Sequence, residues 1–248
     1  GLHFQFIDLV FHPIEHGMES TRFGLPHNYL KRIGLMARYV VTGGAGFIGS
    51  HLVEYLVKEN QDVVVIDNFS TGLRENIHPF LDRVTLHDID LRDAAKVYKA
   101  IEGADYVLHQ GALPSVPRSI EDPLSSHEVN STGTLNVLIA AQKAGVKRVV
   151  YAATSSAYGE AIENIKHEEI IPKPLSPYAV AKLTGEHYCY AFYECYGLET
   201  VSLRYFNVFG PRQNPDSPYT GVMAIFIPLM LQGKRPTIFG DGTATRDF

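Results

Sequence analysis

Apolar residues change their period repeatedly along this chain. Short buried runs such as Tyr39-Val40-Val41 and Val63-Val64-Val65-Ile66 alternate with stripes at helical spacing such as Ile48, Leu52, Val53, Leu56 and Val57. The runs predict strands over 38–42, 62–67, 83–87, 104–109, 147–152 and 199–204. The stripes predict helices over 47–59, 92–101, 124–144, 177–196 and 221–232. Strands alternating with helices imply an α/β fold, a doubly wound parallel sheet with helices on both faces. Ligands of such sheets bind beyond the carboxyl ends of the strands. Polar or small residues stand at all of those ends: Gly43, Asp67, Asp88, His109 to Ala112, Thr154 to Ser156, and Tyr205 to Asn207.

The first strand end is the most specific. Thr42-Gly43-Gly44-Ala45-Gly46-Phe47-Ile48-Gly49 joins a buried strand to an amphipathic helix, with glycines spaced Gly43-x-x-Gly46-x-x-Gly49. A turn poor in side chains lets backbone approach a pyrophosphate, and the first helical amides point at the anion. Asp67, 18 residues beyond Gly49, ends the second strand. Its carboxylate suits a ribose 2′-hydroxyl and repels a 2′-phosphate, so the expected cofactor is NAD rather than NADP. A Rossmann-type sheet is the expected architecture.

A second constellation lies further on. Tyr178 and Lys182 share one face of a helix that Pro177 opens. A nearby ammonium favours phenolate, which would lower the tyrosine pKa and make a general base for a sugar or alcohol hydroxyl. The stretch Thr154-Ser155-Ser156 offers a hydroxyl partner for the reacting oxygen, and Ser155 is the expected one, with Thr154 and Ser156 as neighbours.

Composition narrows the picture. Of 248 residues, 45% are hydrophobic and 20% charged, as in a soluble globular chain. A net charge of −5 leaves no footprint for nucleic acid or an anionic membrane, and no apolar run reaches membrane-spanning length. Cys189 and Cys195 fall on different faces of one helix, so no disulfide is expected and a reducing, cytoplasmic compartment is the default. The 11 histidines form no ligand-like cluster, so no metal site is expected. Residues 1–35 show neither a helical period nor a signal-peptide core and read as an accessory or non-native extension. The chain ends at Arg246-Asp247-Phe248 in mid-motif, as a fragment would. From about residue 206 proline and glycine become frequent, which divides the chain into the extension, a dinucleotide-binding domain over 36–205 and the start of a substrate lobe over 206–248.

Across residues 36–248 the chain resembles the extended short-chain dehydrogenases/reductases, and among them the UDP-hexose and UDP-N-acetylhexosamine 4-epimerases. The likeness rests on the glycine turn, Asp67-Asn68-Phe69-Ser70-Thr71-Gly72, Asp122-Pro123, Asn130-Ser131-Thr132-Gly133-Thr134 and Ser155-Ser156-Ala157-Tyr158-Gly159. It continues through Tyr178-Ala179-Val180-Ala181-Lys182, the run from Arg204 to Gln213 and the run from Gly240 to Phe248. The resemblance implies that Tyr178 takes the proton of the sugar 4′-hydroxyl while NAD+ takes the C4′ hydride. The 4-keto sugar then turns and the hydride returns to its other face. It implies that Ser155 holds O4′ and that Lys182 holds the nicotinamide ribose. It also places Gly43, Gly46, Phe47, Ile48, Gly49, Asp67, Asn68, Ser70, Thr71, Gly72, Asp88, Ile89, Gln110, Gly111, Ala112, Asn130, Tyr178, Lys182 and Tyr205 around the cofactor. Ser115, Thr154, Ser155, Ser156, Asn207, Phe239 and Arg246 fall around a UDP-sugar, with Asn207 and Arg246 at the diphosphate and Phe239 at the uracil. A homodimer through the helices near 124–144 and 177–196 is implied as well.

One departure is the turn His109-Gln110-Gly111-Ala112, where the family more often has alanine in third place. The part of the family's substrate lobe that decides whether an N-acetyl group fits lies beyond residue 248. Two related chemistries stay open. A nucleotide-sugar 4,6-dehydratase would carry an Asp-Glu pair where Ser155-Ser156 stand, which counts against elimination. A UDP-glucuronate epimerase or decarboxylase needs a cation for the 6′-carboxylate, and Arg118 could serve. An inactive NAD-binding fragment is the non-enzyme alternative.

Overall fold

The computed structural model describes residues 36–160, 165–214, 221–238 and 240–243. Six strands form one parallel sheet in the order β3-β2-β1-β4-β5-β6. They are β1 (Arg38–Thr42), β2 (Asp62–Asp67), β3 (Val84–Asp88), β4 (Tyr106–His109), β5 (Arg148–Thr154) and β6 (Glu199–Tyr205). β1 pairs with β2 on one side and β4 on the other, so the order reverses between β1 and β4. A cleft for a dinucleotide opens at such a switch point.

Alternation along the strands sorts the core into two layers. Tyr39, Val41, Val63 and Val65 face α1 (Phe47–Lys58), where Leu52, Val53, Leu56 and Val57 meet them. Val40, Val64 and Ile66 face the other way. There they pack with α3 (Ala94–Ile101), α6 (Gly133–Ala144) and α7 (Pro177–Tyr196) through Val97, Ile101, Val137, Leu138 and Phe192. Short helices complete the connections: α2 (Arg74–Ile77), α4 (Val116–Glu121) and α5 (Pro123–His127). After β6, α8 (Val222–Leu231) carries Pro228 within it.

The helix expected over 124–144 is interrupted. A π-helical turn at Glu128–Thr132 separates α5 from α6. The wider turn carries Asn130, whose side chain clamps the loop after β4: it accepts from the Leu113 N–H at 2.8 Å and donates to the Leu113 carbonyl at 3.0 Å. Such turns concentrate where a helix must present one residue out of period. β5 also runs two residues beyond its expected end, to Thr154.

Leu56 is fully buried and Leu81 is 45% exposed. Leu56→Ala is expected to lower unfolding free energy by about 2–5 kcal/mol, and Leu81→Ala by less than about 0.5 kcal/mol, both read by urea denaturation.

Candidate functional site

A cleft of about 970 Å³ lies over the carboxyl ends of the strands at the switch point. The glycine turn forms its floor. Gly43 adopts φ +67°, and a Cβ there would stand 2.7 Å from the Gly111 Cα. At Gly49 a Cβ would lie 2.0 Å from the Gly43 carbonyl oxygen. Both positions therefore exclude any side chain, and the turn folds tightly enough to leave backbone facing the cleft. Gly46 caps α1 without any side-chain hydrogen bond, so the amides of the first turn are left for a ligand.

Asp67 closes one end. Its Oδ2 accepts from the Ala45 N–H at 2.9 Å and its Oδ1 from the Phe69 N–H at 2.8 Å. Burial raises its pKa above the usual carboxylate range, against the pull of those two amides. Each oxygen keeps a second acceptor site for a ribose hydroxyl. Cradle, open helix end and acceptor carboxylate together fit a dinucleotide.

The other end carries the tyrosine and lysine of α7. Both side chains line the cleft one helical turn apart. Tyr178 is half-buried there, and Thr154 lines the same cleft. Burial pushes the Tyr178 pKa up, and the nearby Thr154 hydroxyl only partly offsets it. This reverses the expected lowering by Lys182. The reason is that Lys182 is itself buried, at 2% exposure, and burial drives its pKa down to about 7. A lysine that is only partly protonated near pH 7 gives a phenolate less support than a fully charged one.

His109 anchors the same region from below. It is fully buried, its Nδ1 2.7 Å from Thr42 Oγ1 and its Nε2 3.0 Å from Thr134 Oγ1. Thr42 Oγ1 accepts from the Gly111 N–H and, with the ring proton on Nε2, donates its own proton to Nδ1. Thr134 donates to the Asn130 carbonyl, so it accepts from Nε2–H. The chain of donors thus assigns a neutral imidazole protonated at Nε2. Burial and the facing Lys182 hold the ring's pKa near about 3.

Most residues expected around the ligands come together. Gly43, Gly46, Phe47, Ile48, Gly49, Asp67, Asn68, Ser70, Thr71 and Gly72 line the cleft, as do Ile89, Gln110, Gly111, Ala112, Tyr178, Lys182 and Tyr205. Thr154 and Asn207 line it too, and so does Arg118. Others stand apart. Asp88 turns to solvent and pairs with Arg74 at 2.9 Å, while Asp90, two residues on, lines the cleft. Asn130 acts on Leu113, one layer behind the wall. Ser115 caps α4 by accepting from the Arg118 N–H at 3.1 Å. Ser155 and Ser156 begin a 3-10 turn over Ser155–Tyr158 outside the lining. Because β5 continues to Thr154, the residue of this stretch that lines the cleft is the one before Ser155. Phe239 and Arg246 lie outside the described residues.

One part of the wall was not read from the sequence. Beyond Asn207, Phe209, Arg212 and Gln213 also line the cleft. Their segment is tied to α1: His51 Nε2 donates to the Pro211 carbonyl at 2.9 Å, and Arg212 binds the Ser50 carbonyl and the Glu54 carboxylate. His51 and Pro211 are 160 positions apart, beyond the reach of any local pattern. Cys189 and Cys195 are free thiols. Among the described residues no group of three or more His, Cys, Asp or Glu side chains could hold a metal ion. No described helix is long and apolar enough to cross a membrane.

Comparison with known proteins places this architecture. Residues 39–248 match the NAD dependent epimerase/dehydratase family. The chain belongs to that family, whose cofactor is NAD. A UDP-N-acetylglucosamine 4-epimerase from Methanobrevibacter ruminantium M1, solved in complex with UDP-N-acetylmuramic acid, superposes with a TM-score of 0.81 at 43% identity over 86% of this chain and 68% of its own. The UDP-glucose 4-epimerase of Thermus thermophilus, solved with NAD, gives 0.73 at 45% identity over 80% and 64%. A UDP-glucose 4-epimerase of Mycolicibacterium smegmatis is 37% identical over 85% of this chain and 68% of its own length. The chain thus spans about two thirds of these relatives.

The lowered pKa of Lys182 fixes a pH dependence. A folded value near 7 below an unfolded value of 10.5 means that the unfolded chain binds the extra proton between those limits. Stability from this group therefore rises with pH from about 7 to 10.5. Lys182→Met is expected to melt a few degrees above the parent at pH 7, with the gap closing towards pH 10, as followed by differential scanning calorimetry.

Proposed function

We propose that this chain carries the NAD-binding and catalytic part of a UDP-sugar 4-epimerase, acting on UDP-N-acetylglucosamine or UDP-glucose through a transient 4-keto sugar. One observation carries the reading: the Tyr178 side chain, one helical turn from Lys182, shares a cleft with Thr154 and the glycine turn. NAD+, when bound, accepts the C4′ hydride and returns it. Tyr178 takes the proton of the 4′-hydroxyl and gives it back to the opposite epimer. Thr154 hydrogen-bonds O4′, the role expected of Ser155. Lys182, in its protonated form, favours the phenolate against the burial that opposes it. The Gly43–Gly49 turn and the open end of α1 hold the cofactor pyrophosphate, and Asp67 accepts from its adenosine ribose. Asn207, which lines the cleft, suits the sugar-nucleotide diphosphate. The reading keeps 36–205 as the cofactor domain and 206–248 as the start of the substrate lobe, with Phe239 at the uracil and Arg246 at the diphosphate. A homodimer in the cytoplasm belongs to it, and exposed Leu124, Val180 and Tyr190 on α5 and α7 support the pairing face.

Elimination would need an acid and a base beside Thr154, and Ser155 and Ser156 supply neither. A second reading has one observation in its favour. Arg118 lines the cleft and could meet a 6′-carboxylate, as a UDP-glucuronate epimerase or decarboxylase requires.

Incubation with UDP-N-acetylglucosamine, UDP-glucose and UDP-glucuronate, without added cofactor, separates these readings. Inversion at C4′ with no loss of water is expected for one of the first two sugars. Turnover of UDP-glucuronate alone would transfer the assignment to the second reading, and a 4-keto-6-deoxy product would overturn both. Tyr178→Phe is expected to lower kcat by about 10²-fold or more while still binding NAD. Turnover at the parent rate would show that another group is the base.

A further inference from the structure

Lys182 is a buried lysine with an unusual neighbour. Among the described residues no carboxylate forms an ion pair with it. Its Nζ instead stands 4.3 Å from the centroid of the Tyr151 ring. Tyr151, on β5, is fully buried, and its hydroxyl donates to the Lys182 backbone carbonyl at 3.2 Å. One side chain therefore contacts both ends of the lysine. The ring is backed by the His109 imidazole, centroid to centroid 5.5 Å. Room for it is made on α7 by Gly185, where a Cβ would fall 2.3 Å from the Tyr151 hydroxyl oxygen. A glycine inside a helix is unfavourable in itself, and here the missing methyl is what admits the phenol.

We propose that Tyr151 is a positioning residue for Lys182, its ring face seating the ammonium and its hydroxyl gripping the backbone beneath it. The inference rests on Lys182 serving the reaction proposed above, but its test does not. A cation over an aromatic face is attracted by the ring quadrupole, most strongly where water is excluded. The other groups bearing on Lys182 are few. Cys189 and Glu186 on α7 favour its charge, and His109 on β4 faces it. Tyr178 stands one turn away on α7. The packed faces of α6 and the π turn present Thr134, Asn130 and Ser131, none of which titrates. Tyr151 is thus the ring that keeps the lysine protonatable within a site that otherwise strips its charge.

The test is an NMR titration of the chain labelled with [ε-13C]lysine, Lys182 being assigned by its loss in Lys182→Met. In the unaltered protein the Lys182 ε protons are expected clearly upfield of ordinary lysine, displaced by the ring current. Tyr151→Phe is expected to keep the Lys182 midpoint within about 0.3 pH units, since the ring remains. Phenylalanines of increasing ring fluorination at 151, which weaken the quadrupole and little else, are expected to lower that midpoint stepwise by about one pH unit in all. Equal midpoints across the fluorinated series would overturn the proposal. So would ordinary ε-proton shifts in the unaltered chain, a measurement that needs no variant to fold. Where the chain turns over a UDP-sugar, the same series is expected to lower kcat and leave KM unchanged. A titration that follows fluorination in a chain without turnover would uphold the seat and reject the epimerase reading.

Discussion

The site depends on a contact between two glycines in facing turns. Gly43, ending β1, lies against Gly111, just beyond β4, so closely that a single methyl on Gly43 would strike backbone. This contact occurs where the strand order reverses, the one place in the sheet where neighbouring chain ends diverge. At Gly43, Gly46, Gly49 and Gly111 the cleft is lined by backbone alone. The Thr42–His109–Thr134 chain of hydrogen bonds beneath it holds the two turns in register without lending a polar atom to solvent.

Above that floor the decisive quantity is the cost of burying charge. Asp67, Lys182 and His109 are buried and Tyr178 is half-buried, and in each the neutral form gains. The protein counters this selectively. Asp67 receives two backbone amides and Lys182 an aromatic face, and the Thr154 hydroxyl draws the Tyr178 pKa back down in part. His109 receives hydroxyls that suit only its neutral form. The first three groups remain able to carry charge, and the last serves as a fixed strut.

The sheet was legible because buried parallel strands are short apolar runs and their helices carry clear stripes. Strands β1 and β2 and helix α7 fall where the pattern places them. The glycine turn and the Tyr178–Lys182 pair were legible because their spacing is local. What escaped is non-local or depends on one residue of register. Nothing in the stripe over 124–144 signals a π turn, since the cause is a side-chain clamp on Leu113. The residue of Thr154-Ser155-Ser156 that lines the cleft is Thr154 rather than Ser155, because β5 outruns its apolar run and in a strand one residue changes the face. The direction of the Tyr178 pKa was misjudged because adjacency to a lysine says nothing of how deeply that lysine is buried. The ties from Arg212 and His51 join segments whose proximity only the finished fold creates.

The pairing of β1 with β4 also bears on how the molecule is assembled. Thr42 meets His109 across 67 residues, and β2 and β3 must be laid down on the opposite side of β1 in between. Closing so large a loop is entropically slow, and parallel neighbours give no local hairpin to nucleate it. During synthesis the glycine turn emerges first, but the wall facing it is still unmade. A nascent chain therefore exposes one edge of β1 until β4 arrives, and a dinucleotide present at that moment would have only half of its berth.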